Sequence, residues 1–315
     1  MKLRYLAAIV LLSGCGDDAS GGVDAGAGAG DAGGSDAGGV DAELPEDAGD
    51  EDPDAGPHNC EGVWLERIEG IVVDEDGVGV EAGRAQACLR LAPSDTLVCL
   101  APPLTEADGS YAIDVPASAR CVQGSVLRAL KPDAPYATSY CHVDVGVTAD
   151  ALLTVPEPTI LYRAEPPATL PPLGDETALR TVVFEDGLEI DVVPAALGFG
   201  VEYEALGARR IPVDGELPCF ARGVAGLEGL YAFLEEGQIE GTGFAFRIPN
   251  ATGLPAGTEV ELLVLGGLDT RLADGSTVEE GDFVPFGTGV VAADGSHIAA
   301  EALSYFTWLG YRVAP

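Results

Sequence analysis

Histidine is the side chain best suited to proton transfer and metal binding near neutral pH, and this chain of 315 residues contains only three. His58 and Glu61 have the spacing of an HxxE zinc-binding motif, but Cys60 lies between them and a low-complexity segment ends there. A chance match explains this spacing better than a metal site does. His142 follows a cysteine and His297 follows an Asp-Gly turn, so both are predicted to be surface or strand residues.

The other motifs that carry chemistry are also missing. Asp294, Ser296 and His297 have the residue types of a catalytic triad, but near neighbours on one strand cannot take the three roles. The sequence contains no GxSxG, P-loop, strand-following GxGxxG or HExxH motif. We therefore predict no catalytic residues, no metal and no cofactor. A hydrolase site assembled from distant residues is the alternative, and it requires His142 and His297 to converge with carboxylates.

The charge of the chain is strongly negative. Asp and Glu number 52 against 16 Lys and Arg, which gives a formal net charge of −36. Such a surface repels phosphate backbones and anionic lipid headgroups. Nucleic acid is therefore excluded as a partner, and so is a charge-driven association with membranes. Acidic loops such as Glu279–Asp282 lack EF-hand spacing and are predicted to be solvated turns.

The N-terminus has the organisation of an export signal. Lys2 and Arg4 precede the apolar stretch Leu6–Leu12, and small residues follow it. This apolar stretch is much shorter than the roughly 20 residues that a membrane-spanning helix needs. One interpretation is a cleaved signal peptide followed by an incidental cysteine.

A more specific interpretation comes from Leu12-Ser13-Gly14-Cys15, which resembles the lipobox of bacterial lipoproteins. The resemblance implies that residues 1–14 are removed and that Cys15 carries the acyl chains, palmitate among them. Several acyl chains give a stable membrane anchor, whereas a single chain is marginal. Gly16 after the cysteine implies sorting to the outer membrane, with either the periplasm or the cell surface as the side that the protein faces.

Residues 15–57 are predicted to form a disordered acidic tether. The segment after Cys15 consists mainly of Asp, Ala and Gly, as in VDAGAGAG and DAGGSDAGG. It has neither helical nor strand periodicity and almost no side chain large enough to pack. Such a segment cannot compensate for the conformational entropy lost on folding.

Beyond residue 57 the sequence predicts an all-β protein with two β-sandwich modules, residues 58–164 and 165–315. Asp-Gly pairs, which are strong hairpin signals, recur beside short alternating or β-branched stretches. These pairs are Asp76-Gly77, Asp108-Gly109, Asp186-Gly187, Asp214-Gly215, Asp274-Gly275 and Asp294-Gly295. The best helix candidate, Val224–Glu236, contains two glycines and is predicted to be short or absent.

Both modules resemble known β-sandwiches. Gly70-Ile71-Val72-Val73-Asp74, Gly77 and the segment Thr105–Pro116 make the first module similar to the transthyretin-like, carboxypeptidase-regulatory family. That family consists of accessory or binding modules, so the resemblance implies architecture and no chemistry. The second module, with Gly187–Leu197 and Gly287–Val291, looks like bacterial surface-protein sandwiches, and Trp308 is expected to close its core.

The cysteines predict disulfides. Removing Cys15 from the seven leaves six, an even number in an exported chain. These six are Cys60, Cys88, Cys99, Cys121, Cys141 and Cys219. Fifteen connectivities are open. Hairpin spacing favours Cys88 with Cys99 and Cys121 with Cys141, which leaves Cys60 with Cys219. Five cysteines lie in one module and one in the other, so full pairing requires a bridge across the boundary.

These observations together predict a non-catalytic, lipid-anchored cell-envelope protein. Its modules would serve binding or structural roles, with an extracellular protein or a polysaccharide as the partner. Stacked rings are common in sugar sites, and the rings with potential for this are Trp64, Tyr111, Tyr305, Phe306 and Trp308, most of them expected in the core. The alternative function is that of an extracellular hydrolase, with or without a metal.

Overall fold

The computed structural model describes residues 59–146, 151–198 and 201–314. The predicted signal peptide, Cys15, the predicted tether and His58 lie outside the described residues. Within these ranges the secondary structure consists of eighteen strands and four one-turn 3₁₀ helices, so the all-β prediction is confirmed. No helix in this part of the chain is long and apolar enough to cross a membrane.

The first half of the described chain is a sandwich of two sheets. Its strands are β1 (Val63–Trp64), β2 (Arg67–Asp74), β3 (Arg84–Leu91), β4 (Thr96–Cys99), β5 (Ser110–Asp114), β6 (Cys121–Leu130), β7 (Ser139–Val143), β8 (Leu152–Thr154) and β9 (Thr159–Leu161). One sheet has the order β1-β6-β3-β4, with β7 also paired to β6. The other has the order β5-β2-β8, with β9 also paired to β2. Alternate side chains of both sheets, such as Ile68 and Leu127, fill one core between them.

The second half is built on one nine-stranded antiparallel sheet. Its strands are β10 (Arg180–Val183), β11 (Glu189–Val192), β12 (Gly207–Ile211), β13 (Leu227–Gln238), β14 (Phe244–Pro249), β15 (Glu259–Leu265), β16 (Phe283–Val291), β17 (His297–Leu303) and β18 (Tyr305–Val313). The strand order is β10-β11-β14-β17-β16-β15-β18-β13-β12. Val182 of β10 and Ala208 of β12 share one core, so the sheet curls until its two ends approach each other.

The helix candidate Val224–Glu236 overlaps strand β13. Tyr231 and Phe233 face the core of the second half, whereas Leu230 and Ala232 face the first half. A strand that is buried on both faces reads as a continuous apolar run, which hides the alternation expected of a strand. Gly229 is needed here because a Cβ would lie 2.1 Å from the Tyr311 ring.

Most of the Asp-Gly pairs form the tight turns that the sequence predicts. The Asp186-Gly187 pair joins β10 to β11, and Asp294-Gly295 joins β16 to β17, each with its glycine at positive φ. At the second turn the Asp294 carboxylate accepts a hydrogen bond from the Ser296 amide at 3.0 Å. Asp214-Gly215 is the exception, because it lies in the loop between β12 and the 3₁₀ helix Cys219–Ala221.

A third core lies at the junction between the two halves. It combines first-half residues such as Tyr140 and Tyr162 with second-half residues such as Leu230 and Trp308. Trp308 was expected to close the core of its own module, but it packs between the halves. Its indole Nε1 donates to the Thr138 carbonyl at 2.7 Å, and its ring lies edge-on to Tyr162 at 5.6 Å. The described residues on both sides belong to one compact unit, and the boundary predicted at residue 164 stays a prediction.

The six described cysteines form three disulfides. Cys88–Cys99 is confirmed, because these residues lie directly opposite each other on β3 and β4. The bridge that the cysteine count requires across the predicted boundary is also present, as Cys141–Cys219.

The other two favoured pairings are wrong. Cys121 pairs with Cys60, and Cys141 pairs with Cys219. On β6 the residue opposite Cys141 is Leu127, six positions from Cys121 and therefore about 20 Å along the strand. Cys121 lies opposite Trp64 of β1, which brings Cys60 to a Cα separation of 5.4 Å. A disulfide tolerates Cα separations only to about 7 Å.

Candidate functional site

The two described histidines do not come together. His142 Nε2 lies 2.8 Å from Asp282 Oδ1, in a cleft of about 330 Å³ beside the Cys141–Cys219 disulfide. His297 Nδ1 lies 2.8 Å from Ser296 Oγ, in a separate trough over β14, β16 and β17. Among the described residues no three His, Cys, Asp or Glu side chains are grouped as a metal site would need. The convergence that the hydrolase hypothesis requires is therefore not found in this part of the chain.

The rings that the sequence singles out are mainly structural. Tyr111, Tyr305, Phe306 and Trp308 are buried. Trp64 is partly exposed, with the Arg120 guanidinium 5.9 Å from its ring centroid. None of these five rings lines the cleft described below.

Five ion pairs and one histidine–carboxylate hydrogen bond surround the junction core and link the two halves. Three ion pairs have first-half cations and second-half acids, and two have the reverse arrangement. The ion pairs are Arg90–Glu279 at 2.9 Å, Arg90–Glu280 at 4.0 Å, Arg128–Glu236 at 3.0 Å, Arg209–Glu75 at 2.7 Å and Arg222–Glu157, and the hydrogen bond joins His142 to Asp282 at 2.8 Å. Arg128–Glu236 is the least exposed of them, because the Glu236 side chain is only 10% exposed. It belongs to a larger polar network.

Glu236 is the centre of that network. Its Oε2 accepts from Arg128, and its Oε1 accepts from the Tyr140 hydroxyl. The Tyr140 oxygen in turn accepts from the Leu268 amide at 3.2 Å, and the Tyr305 hydroxyl donates to the Leu268 carbonyl at 3.1 Å. Burial, reinforced by the Glu236 charge, raises the pKa of Tyr140 well above its ordinary value, so the phenol stays a hydrogen-bond donor.

An irregularity in strand β13 places the adjacent residues Glu235 and Glu236 on the wall of the same cleft. From Ala232 to Gly237 the strand advances five residues while its partner β18 advances two, which is a large β-bulge. Glu235 within the bulge has a φ of +62°, an uncommon value for a residue with a side chain. Burial, opposed by a hydrogen bond from the Glu202 amide, raises the pKa of Glu235 above its ordinary value.

Glu235 and Glu236 line an open cleft of about 520 Å³, which we call the junction cleft. Its first-half wall is the end of β6 and the loop 131–136, and its second-half wall includes the bulge. The polar and aromatic side chains around it are Arg128, Lys131, Asp133, Tyr136, Thr138, Glu235 and Glu236. Pro132 and Pro135 restrict the backbone of the loop. None of these residues belongs to a motif that is recognisable in the sequence.

Comparison with models of protein families gives no match, and comparison with curated proteins gives none either. The choice of site therefore rests on the geometry.

Three other depressions in the described part of the chain are larger. One, of about 740 Å³, lies over β2 within the first half and is lined by Arg67, Glu69, Glu106 and Tyr111, but that ring is buried. Another, of about 550 Å³ beside Asp186 and Arg210, has no ring in its lining. The trough beside His297, of about 650 Å³, has a floor of small residues such as Ala299 and Gly289. The junction cleft combines an aromatic ring, cations and carboxyl groups in a smaller space, and ligand sites commonly form where two modules meet. It is the best candidate site.

The positive φ of Glu235 leads to a stability prediction. Glycine adopts this conformation without the clash that a Cβ introduces, so Glu235→Gly is expected to raise the free energy of unfolding by about 1 kcal/mol. The matched control is Glu301→Gly on strand β17, whose φ is not positive, so that glycine should be destabilising there. Urea unfolding followed by circular dichroism measures both. A lower free energy of unfolding in Glu235→Gly than in the wild type would contradict the prediction that the Glu235 backbone is strained.

Proposed function

We propose that this protein is a non-catalytic, lipid-anchored cell-envelope protein that presents a rigid β body for binding an extracellular protein or polysaccharide. The observation that carries the proposal is the junction between the two halves. A shared core, the Cys141–Cys219 disulfide and the part-buried Arg128–Glu236 pair keep the halves in one arrangement. A cleft between halves that cannot separate is preorganised, which favours binding because little freedom remains to be lost.

Anchoring rests on the sequence alone. The lipobox-like Leu12–Cys15 and the low-complexity segment that follows it support attachment at Cys15 and distance from the membrane. Localisation at the outer membrane is part of the proposal on the same basis.

The arrangement of carboxyl groups favours binding over hydrolysis. Both Glu236 oxygens are engaged, one by Arg128 and one by Tyr140. Glycoside hydrolysis commonly needs two carboxyl groups on opposite sides of the scissile bond, about 5–10 Å apart. Glu235 and Glu236 are consecutive residues on one wall of the cleft, and Glu236 is engaged by Arg128. The third carboxyl group, Asp133 on the opposite wall, is exposed to solvent. A general acid commonly lies in a less solvated environment, so this lining is better suited to hydrogen bonding a ligand.

The anchor is tested by labelling bacteria that express the full-length chain with an alkyne-tagged palmitate. The wild-type protein is expected to carry the label and to sediment with membranes, because several acyl chains anchor a protein stably. Cys15→Ser should lose the label and become soluble. The matched control Ser13→Ala keeps a small residue before the cysteine and should remain labelled. A wild-type chain without label, or a labelled Cys15→Ser chain, would contradict the proposal.

A further inference from the structure

The junction cleft presents hydrogen-bond donors and acceptors around one aromatic ring. Lys131 and Arg128 supply donors, and the Arg128 Nε is buried with no acceptor among the described residues. Glu235 supplies acceptors, and Thr138 lies on the same lining. Hydroxyl groups both donate and accept, so a ligand rich in hydroxyls matches this mixture, whereas an alkyl chain or a phosphate uses only part of it.

Tyr136 offers a ring that is already positioned. The Arg163 guanidinium lies 5.4 Å from the ring centroid, and its Nε donates to the Tyr136 hydroxyl at 3.2 Å. The neighbouring Pro135 further restricts the backbone. A ring fixed in this way loses little rotamer freedom when a ligand stacks on it, so the contact adds more to the affinity.

The charge of the site limits the ligand further. Glu235 and Glu236 line the cleft, and the chain as a whole carries a formal charge of −36, so an anionic polymer is repelled. The opposite wall carries Arg128 and Lys131 beside Asp133, so a cationic peptide meets two like charges there. A neutral ligand is repelled by neither set of charges.

The backbone of Glu235 is consistent with a ligand contact. Its φ of +62° is unfavourable for a residue with a side chain, and the bulge that holds it turns the carboxyl toward the cleft. Strained residues and β-bulges concentrate at binding sites, where a side chain must be placed at some cost in stability.

We propose that the junction cleft binds a neutral polysaccharide, with one sugar ring stacked on Tyr136 and its hydroxyl groups bonded to Glu235 and Lys131. This inference rests on the proposed function, and it specifies the class of ligand that the protein would bind.

The test uses the full-length chain in a polyoxyethylene detergent, which contains no sugar. Binding of cellohexaose, maltohexaose, mannohexaose and chitohexaose is measured by isothermal titration calorimetry, with a polygalacturonate hexamer as the anionic comparator. We expect at least one neutral hexasaccharide to bind, and the polygalacturonate not to bind. Tyr136→Ala and Glu235→Gln should each weaken binding about tenfold or more. Tyr136→Phe keeps the ring and should retain most of the affinity.

Controls outside the cleft are Glu301→Gln and Trp64→Ala, which should leave binding unchanged. Circular dichroism establishes that each variant is folded. The inference is overturned if none of the four neutral hexasaccharides binds, if the polygalacturonate binds more tightly, or if Tyr136→Ala and Glu235→Gln bind as the wild type does. Labelling at Cys15 is a separate measurement. Failure of saccharide binding would therefore not contradict lipid anchoring, and failure of labelling would not contradict saccharide binding in the junction cleft.

Discussion

Replacing Trp308 with alanine is expected to lower the free energy of unfolding by about 4 kcal/mol. The indole is 1% exposed and packs against rings from both halves, Tyr162 and Phe220. Its removal leaves a cavity in the junction core and also leaves the Thr138 carbonyl without its donor. The effect should appear as one cooperative transition at lower urea concentration, because the two halves share this core.

Urea unfolding followed by circular dichroism measures the change, and Trp64→Ala is the matched control. Trp64 is the only other tryptophan in the chain, and it is partly exposed on the short strand β1. Its removal should cost much less. A loss below about 1 kcal/mol in Trp308→Ala would mean that the junction is not a packed core. Two separate transitions in the wild-type protein would mean that the halves unfold independently.

Removing the Cys141–Cys219 disulfide is expected to cost a similar amount, about 4 kcal/mol. The two cysteines are 78 residues apart, and a cross-link that closes a loop of this length removes much entropy from the unfolded chain. The double variant Cys141→Ser with Cys219→Ser keeps the side-chain size and leaves no unpaired thiol. Its free energy of unfolding is measured in the same way.

The control for this disulfide is the double variant Cys88→Ser with Cys99→Ser. That bridge closes a separation of only 11 residues, so its loss should cost about 3 kcal/mol, less than the long-range bridge. Peptide mass mapping without reduction should recover the three described pairings, Cys60–Cys121 among them. A peptide that links Cys121 to Cys141 would contradict the fold at the junction, whatever the stability of the variants.

Trp308→Ala and the Cys141→Ser/Cys219→Ser double variant are also expected to affect the junction cleft. Its two walls come from different halves, so their spacing depends on the core that Trp308 fills and on the bridge at Cys219. A folded Cys141→Ser/Cys219→Ser variant that binds cellohexaose or another neutral hexasaccharide more weakly than the wild type would connect the rigidity of the body to its affinity.

Local features of the sequence were sufficient to predict the all-β class and most of the tight turns. Asp186-Gly187 and Asp294-Gly295 mark hairpins because the turn and its two strands are contiguous, and the glycine alone satisfies the positive φ. The pairing of Cys88 with Cys99 is predictable for the same reason. Lipidation of Cys15 remains a prediction from the N-terminal motif.

The cysteine count also predicted one long-range fact. With Cys15 set aside, five cysteines between residues 58 and 164 and one after them require a bridge across the boundary if all six pair. Which cysteine supplies the bridge depends on strand register. Cys121 and Cys141 are close in sequence, yet β6 and β7 place them far apart, and a hairpin-length spacing therefore misled the assignment.

The junction cleft was decided by the tertiary structure. Glu235 and Glu236 interrupt the apolar stretch of β13, and this interruption is the only signal in the sequence that could have directed attention to them. Nothing in the sequence relates them to Tyr136 and Arg128, which lie about a hundred positions away. By itself the sequence determined the all-β class, most of the tight turns and the need for a bridge between the halves, because these follow from neighbouring residues or from a count. Only packing decided that Trp308 joins the two halves and that a cleft forms beside it, because both depend on how distant strands meet.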